Sequence, residues 1–329
     1  MQTTFGIFRD DSDDSDDSDD SDQGAGTGSG ILSYSGARAN ALLTQALWRT
    51  RADLLRQVDG IGNPTPEMAA PIGSDEAFAR WSKDVRAYQY SFELLSGLYL
   101  DRSETGVARL YSMNTTIDRP ANNKVTGYAT PLLALERPAY DKEAGALADE
   151  LTSVLSMARL RPDRTPEILM QVHVPYSFFA MVLNLQPERH RHTFELMSAV
   201  FSFSSTVVMQ FKHHLRARRP ADRSVLVQPM LLTPGHGSYP AGHATQCKFV
   251  AKVLYELVKT KLGTDAKNQL DQLAARIAEN RIVAGLHYPA DNLAGENLGA
   301  SLAEYFMEKC SANESALKWL RARAGEEWQ

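Results

Sequence analysis

From residue 140 to residue 323 the apolar side chains of this chain recur at helical intervals, and almost nowhere do they alternate with the period of two that a half-buried strand requires. A chain patterned this way has to bury helix faces against one another, so the expected class is all-α, a helical bundle. The 329 residues are enough to enclose a sizeable core. Helices are expected over 140–157, after Pro166, and over 187–218, where Arg219-Pro220 stops the last because the residue before proline avoids helical backbone. Another opens near Ala241 and buries Phe249, Val250, Val253, Leu254, Leu257 and Val258, and further helices cover 265–283, 289–308 and 314–323.

The first half is less regular. Leu42, Leu43, Ala46, Leu47, Leu54 and Val58 mark an amphipathic helix over 37–58, ended by Gly60 and Gly62. A second helix begins near Ser74, and its stripe of Phe78, Trp81, Val85, Tyr88, Phe92 and Leu95 is assigned to the core. Between Tyr99 and Pro138, Gly, Pro and Asn interrupt every pattern, which suits either a plain connector or a functional loop over a site. Residues 1–30 form an acidic Asp/Ser and Gly-rich tail that cannot bury apolar surface and is expected to be disordered. The expected organisation is this tail, an N-terminal helical part (31–165), and a C-terminal helical part (166–329) that carries the site and packs with 31–165 into one compact unit.

Charge narrows the function classes. The net charge is −5, but nine Asp lie between Asp10 and Asp22, and without them the remainder stands at +4. That suits an anionic ligand and is too slight for nucleic acid. The most apolar run, 196–211, holds five Ser or Thr and a Gln, so it reads as a core helix rather than a membrane span. Two cysteines and the lack of a signal-peptide pattern point to the cytoplasm. No zinc pattern joins the eight histidines; His190, His192, His213 and His214 read as solvated helix residues, and Cys247 as an apolar filler.

Three clusters carry the chemistry. In the first, Lys212 and Arg219 are seven residues apart, two helical turns, so both are expected to project from one helix face, as anion ligands or as complements to the helix C-terminus. The second, Ser238-Tyr-Pro240-Ala-Gly-His243, sits at a helix N-terminus, where the Gly242 backbone and the dipole favour an anion and His243 can exchange a proton. The third runs from Arg281 to His287 and Asp291. Four residues separate the last two, the right interval for Asp291 to hold the imidazole, or simply to face the dipole in a first turn. Together the clusters describe a pocket for a tetrahedral or bipyramidal oxyanion.

In order and spacing, the clusters resemble the signature shared by vanadium-dependent haloperoxidases, type 2 phosphatidic acid phosphatases and bacterial acid phosphatases: Lys, six residues, Arg-Pro; Pro-Ser-Gly-His; Ser-Arg, five residues, His, three residues, Asp. Here the matching positions are Lys212, Arg219-Pro220, Pro240-Ala241-Gly242-His243, Asn280-Arg281, His287 and Asp291. The resemblance implies that fold, with Lys212, Arg219, Gly242 and Arg281 holding the oxygens of vanadate or phosphate. It also implies that His243 is the acid–base group, and that His287 binds vanadium or attacks phosphorus with Asp291 in support. Ala241 and Asn280 stand where the signature has serine, and a lost bond to a charged group weakens binding by about 1.5–3 kcal/mol.

The reading favoured by sequence is a haloperoxidase-like enzyme with a vanadate cofactor and Lys212 polarising the peroxide. Its partners would be hydrogen peroxide, a halide and a small organic acceptor, with no nucleic acid or membrane, and an exposed helix face would allow a homodimer. His236 lies where similar bromoperoxidases carry a histidine, so bromide or iodide is expected before chloride. The alternatives are a soluble acid phosphatase working through a phosphohistidine, with phosphate as substrate and no cofactor, and a repurposed, non-catalytic protein.

Overall fold

The computed structural model describes residues 45–46, 49–50, 75–112, 130–312 and 315–329. The acidic tail and most of the helix expected over 37–58 lie outside these residues, apart from the helical positions 45–46 and 49–50. Phe78–Gln329 forms one compact unit. It contains α1 (Lys83–Ser96), β1 (Leu98–Asp101), β2 (Val107–Ser112), β3 (Leu133–Glu136), α2 (Ala144–Met157), α3 (Arg161–Met170), α4 (Tyr176–Leu183), α5 (Arg191–Leu215), α6 (Gly242–Val283), α7 (Pro289–Lys309) and α8 (Ala316–Glu326). The unit is predominantly helical, as the periodicity requires.

The centre is α5. It packs against α1, α6, α8 and β2, and buries Leu196, Met197, Val200, Phe201, Phe203, Val207, Val208 and Phe211. By length and composition it is apolar enough to cross a membrane, yet half of its most apolar window is enclosed by the rest of the fold. Its first turn is closed from a distance: the Glu327 carboxylate, just past α8, accepts from the amides of His192 (2.8 Å) and Thr193 (2.9 Å). The next residue, Trp328, donates from Nε1 to Thr193 Oγ1 (3.1 Å) and lays its ring against His190. His190 and His192 are therefore buried, contrary to the solvated reading.

α6 is two arms of a hairpin. Gly263 adopts φ +62°, ψ −156°, a backbone that side-chain-bearing residues avoid. Lys248 Nζ then reaches Asp271 Oδ1 at 2.8 Å, although a straight helix would set those positions about 35 Å apart. α7 lies close against the first arm. A Cβ built on Gly295 would stand 2.5 Å from the Ala241 carbonyl oxygen, and one on Gly299 would collide with that of Thr245. This approach brings the start of α7 to the start of α6, where the Ala241 amide donates to the Asp291 carbonyl (3.0 Å).

Two further expectations fail. The stretch from Tyr99 to Pro138 is not simply irregular: β1, β2 and β3 pair antiparallel in that order, with Asp101 opposite Arg109 and Val107 opposite Glu136. These strands have only four to six residues, and β2 buries four of its six, so alternation is hidden. Residues 113–129 lie outside the described ones. Of the stripe assigned to the core, Phe78 packs there against Tyr90 and Trp319, but the rest faces outward, with Tyr88 53% and Phe92 69% exposed on α1. The inner face belongs to Arg86, Tyr90 and Leu94, because Arg86 forks two 2.7 Å bonds to Glu195 on α5 and Tyr90 adds a third at 2.9 Å.

The close approach of α6 and α7 sets a test. Gly295→Ala and Gly299→Ala should each lower the free energy of unfolding by about 1–3 kcal/mol through overpacking. Gly145→Ala in α2, where an added Cβ meets nothing within 4 Å, should not destabilise, and urea unfolding of the three variants checks this.

Candidate active site

Lys212 and Arg219 reach the site by a route the seven-residue spacing did not foresee. α5 stops at Leu215, because Arg216 turns left-handed at φ +51°, and Arg219 sits beyond in extended backbone at φ −76°, ψ 161°. The two cations do not share a helix face; a tight turn brings them together. Both are buried, and both hold the loop that precedes α6. Lys212 Nζ donates to the carbonyls of Gly237 (2.7 Å) and Ser238 (2.9 Å). Arg219 donates from Nε to the His236 carbonyl (3.1 Å) and from Nη1 to the Leu286 carbonyl (3.0 Å).

On the other wall, Asp291 is the third residue of α7, after Tyr288 at the cap and Pro289. Its Oδ2 accepts from the Tyr288 amide (3.0 Å) and from His287 Nδ1 (3.0 Å), so the residue opens the helix and holds the imidazole at once. Two further donors complete its shell: Ser238 Oγ at 2.5 Å from Oδ2, and the Tyr140 hydroxyl at 2.6 Å from Oδ1. Neither was singled out from sequence. Ser238 stands inside the second cluster, but Tyr140 is 151 residues from Asp291 and no local signal announces it.

This shell sets the protonation states. Burial pushes Asp291 upward, but hydrogen bonds from His287, Ser238 and Tyr140 outweigh it and keep the carboxyl below its ordinary value. Burial lowers His287 well below its ordinary value, against the pull of Asp291, so the ring is neutral at pH 7. With Nδ1–H given to the carboxylate, Nε2 keeps its lone pair, 3.4 Å from the donor-only Arg219 Nη1. Arg219 Nη2 also donates to His236 Nδ1 (3.1 Å), which places His236 next to the cations; burial and then Lys212 and Arg219 push that imidazole down to about 4.

His243, second residue of α6, gives Nε2–H to the Gln171 carbonyl at 2.8 Å. Burial lowers it to about 3, followed by the charges of Arg281, Lys212 and Arg219, so all three cations act on this ring. Arg281 is 2% exposed; Nη2 donates to the Ile168 carbonyl (3.0 Å), while buried Nε has no partner. Burial brings Arg219 and Arg281 down only to about 10, so both stay charged at neutral pH. Among the described residues neither arginine forms an ion pair with a carboxylate. Of the buried carboxylates among them, Glu195 and Asp141 are taken by Arg86 and Arg137, and Asp291 is filled by its own four donors.

Ala241 caps α6 without a side-chain bond and packs its methyl against Ala244 and Ala278. Asn280 faces away from any ligand role: Oδ1 accepts from Arg164 (2.9 Å), and Nδ2 donates to Glu167 (3.2 Å) and to Gln171 Oε1 (2.9 Å). No three His, Cys, Asp or Glu side chains among the described residues gather as a metal cluster.

No family model matches this chain, and no curated protein sequence does. Among solved structures it is similar to a transmembrane PAP2 type phosphatidylglycerolphosphate phosphatase from Bacillus subtilis, with 18% identity and a TM-score of 0.42. The match covers 52% of this chain and 90% of that one.

The depressed histidines give stability a definite pH dependence. A histidine whose folded value lies below its ordinary value contributes stability that is present above about pH 6.5 and is lost as pH falls toward the folded value. For His287 the slope should approach ~1.4 kcal/mol per pH unit below pH 6.5, and His236 and His243 act in the same direction. Urea unfolding between pH 7 and pH 5 checks this, and a flat profile would exclude a neutral buried His287.

Proposed function

We propose that this pocket binds a phosphate monoester and hydrolyses it through a phosphohistidine on His287. The observation that carries the reading is the buried positive charge: among the described residues Arg219 and Arg281 form no ion pair with a carboxylate, both act with Lys212 on His243, and Arg219 Nη1 lies 3.4 Å from His287 Nε2. Burying cations without an anion is costly, and a phosphate dianion is the partner that offsets it. The His287 lone pair forms the N–P bond as the ester P–O bond breaks, and His243 protonates the departing oxygen. Water then attacks phosphorus, gives its proton to His243 and frees His287. Burial, and after it the charges of Arg281, Lys212 and Arg219, lower His243; a bound dianion offsets the charges, though not the burial, and so raises the ring toward its acid form.

A second reading has its own observation, His236 bonded to Arg219 beside the pocket. The same residues fit vanadate, which His287 Nε2 would bind while Lys212, Arg219, Gly242 and Arg281 hold its oxygens. When bound, that group supplies Lewis-acid activation of hydrogen peroxide for oxidation of a halide, bromide or iodide before chloride. In that setting His236 tunes the field at the halide through Arg219.

Two assays on the purified chain separate the readings: hydrolysis of an aryl phosphate, and peroxide-dependent bromination with and without vanadate. Hydrolysis that vanadate inhibits supports the phosphatase; bromination that requires vanadate supports the second reading and rejects the first. His287→Ala should abolish whichever activity is found. His243→Ala should slow phenyl phosphate about 100-fold or more but a nitrophenyl ester much less, because the better leaving group needs no proton. Equal losses on both esters would remove His243 from the acid role.

A further inference from the structure

The pocket is one donor short of the signature it resembles, since Ala241 has no hydroxyl to offer. A buried donor without a partner stands close by. Gln171, at the end of α3, is fully buried, and its Nε2 makes no hydrogen bond. Two bonds tie it to His243 and Asn280, and a third ties its helix to Arg281. Its carbonyl receives His243 Nε2 at 2.8 Å, and its Oε1 receives Asn280 Nδ2 at 2.9 Å. Three residues earlier, the Ile168 carbonyl receives Arg281 at 3.0 Å.

The orientation of the Gln171 amide follows from groups whose roles are not interchangeable. Arg164 only donates, so Asn280 must turn Oδ1 toward it. Glu167 accepts as a carboxylate, which fixes Asn280 Nδ2 on the opposite side, and that nitrogen can meet only the oxygen of Gln171. Gln171 is thereby forced to point its NH2 away from Asn280, with no acceptor. Arg281 Nε, in the residue next to Asn280, is likewise buried and unbonded. Two orphan donors beside a cationic pocket lack the one thing an oxyanion brings.

We propose that Gln171 is an oxyanion-binding residue, whose Nε2 makes the hydrogen bond that Ala241 cannot, and that Asn280 is the positioning residue that aims it. The inference rests on the oxyanion reading of the pocket and adds to it a ligand outside the three sequence clusters. Asn280 and Ala241 then form one adaptation: the position before Arg281 gives up its serine to hold the glutamine that takes over from the other missing serine.

The test is calorimetric titration of the full chain with inorganic phosphate and with orthovanadate, alongside thermal unfolding. Gln171→Glu keeps the shape and the acceptor for Asn280 but replaces the donor by a carboxylate oxygen; Gln171→Met removes the donor without charge. Both should weaken oxyanion binding, Gln171→Met by about 10- to 100-fold, the range for a lost bond to a charged partner, and Gln171→Glu by more. Adding Ala241→Ser to Gln171→Met should recover at least about tenfold, which a merely structural role for Gln171 would not allow. Asn280→Ala should weaken binding in the parent chain but not in Gln171→Met. If the parent binds phosphate or vanadate and Gln171→Met binds it equally well, the proposal is overturned and the oxyanion pocket stands. If the parent binds neither anion, the oxyanion reading itself falls.

Discussion

The carboxylate of Asp291 is the point on which this architecture closes. It draws donors from four places: the Tyr140 hydroxyl after the small sheet, Ser238 in the loop before α6, His287 at the end of the α6–α7 connection, and the amide that starts α7. An ion in a fully buried position is tolerable only when its lone pairs are filled, so these segments are held to one geometry. The same saturation separates the charges: Asp291 serves neutral donors and the imidazole, while Arg219 and Arg281 rest on backbone carbonyls. A carbonyl satisfies an N–H without cancelling its charge, so the field of the cations remains available to a ligand.

Most of the helices and the convergence of the three clusters could be read from the chain. Helical periodicity is local information, and the spacing from His287 to Asp291 becomes a contact because four residues make one turn. The partners that complete the site are not local. Tyr140 and Gln171 enter from helical segments with no motif, and their roles depend on which backbone carbonyls and carboxylates they happen to face. Lys212 and Arg219 meet, but through the left-handed turn at Arg216, which a run of basic residues does not disclose. The α1 stripe misled for a related reason: hydrophobicity ranks faces by transfer energy, whereas Arg86 and Tyr90 face inward because Glu195 waits there.

The departures from the signature look different once placed. Ala241 does not leave a hole, because its methyl joins Ala244 and Ala278 where α7 comes within reach of Gly295. Asn280 is not a weakened serine either; it is the hub of a polar network that runs from Arg164 and Glu167 to the carbonyl that orients His243. Networks of this kind rigidify a site when every member but the ligand-facing ones is satisfied.

The latch between Glu327 and the first turn of α5 bears on how the molecule is made. Translation delivers α5 early, with two of its leading amides directed at a carboxylate 134 and 135 residues further along the chain. Until that carboxylate and the tryptophan after it have emerged, the helix that presents Lys212 has an open end, and nascent chains carry Lys212 before they carry the clasp that seats its helix.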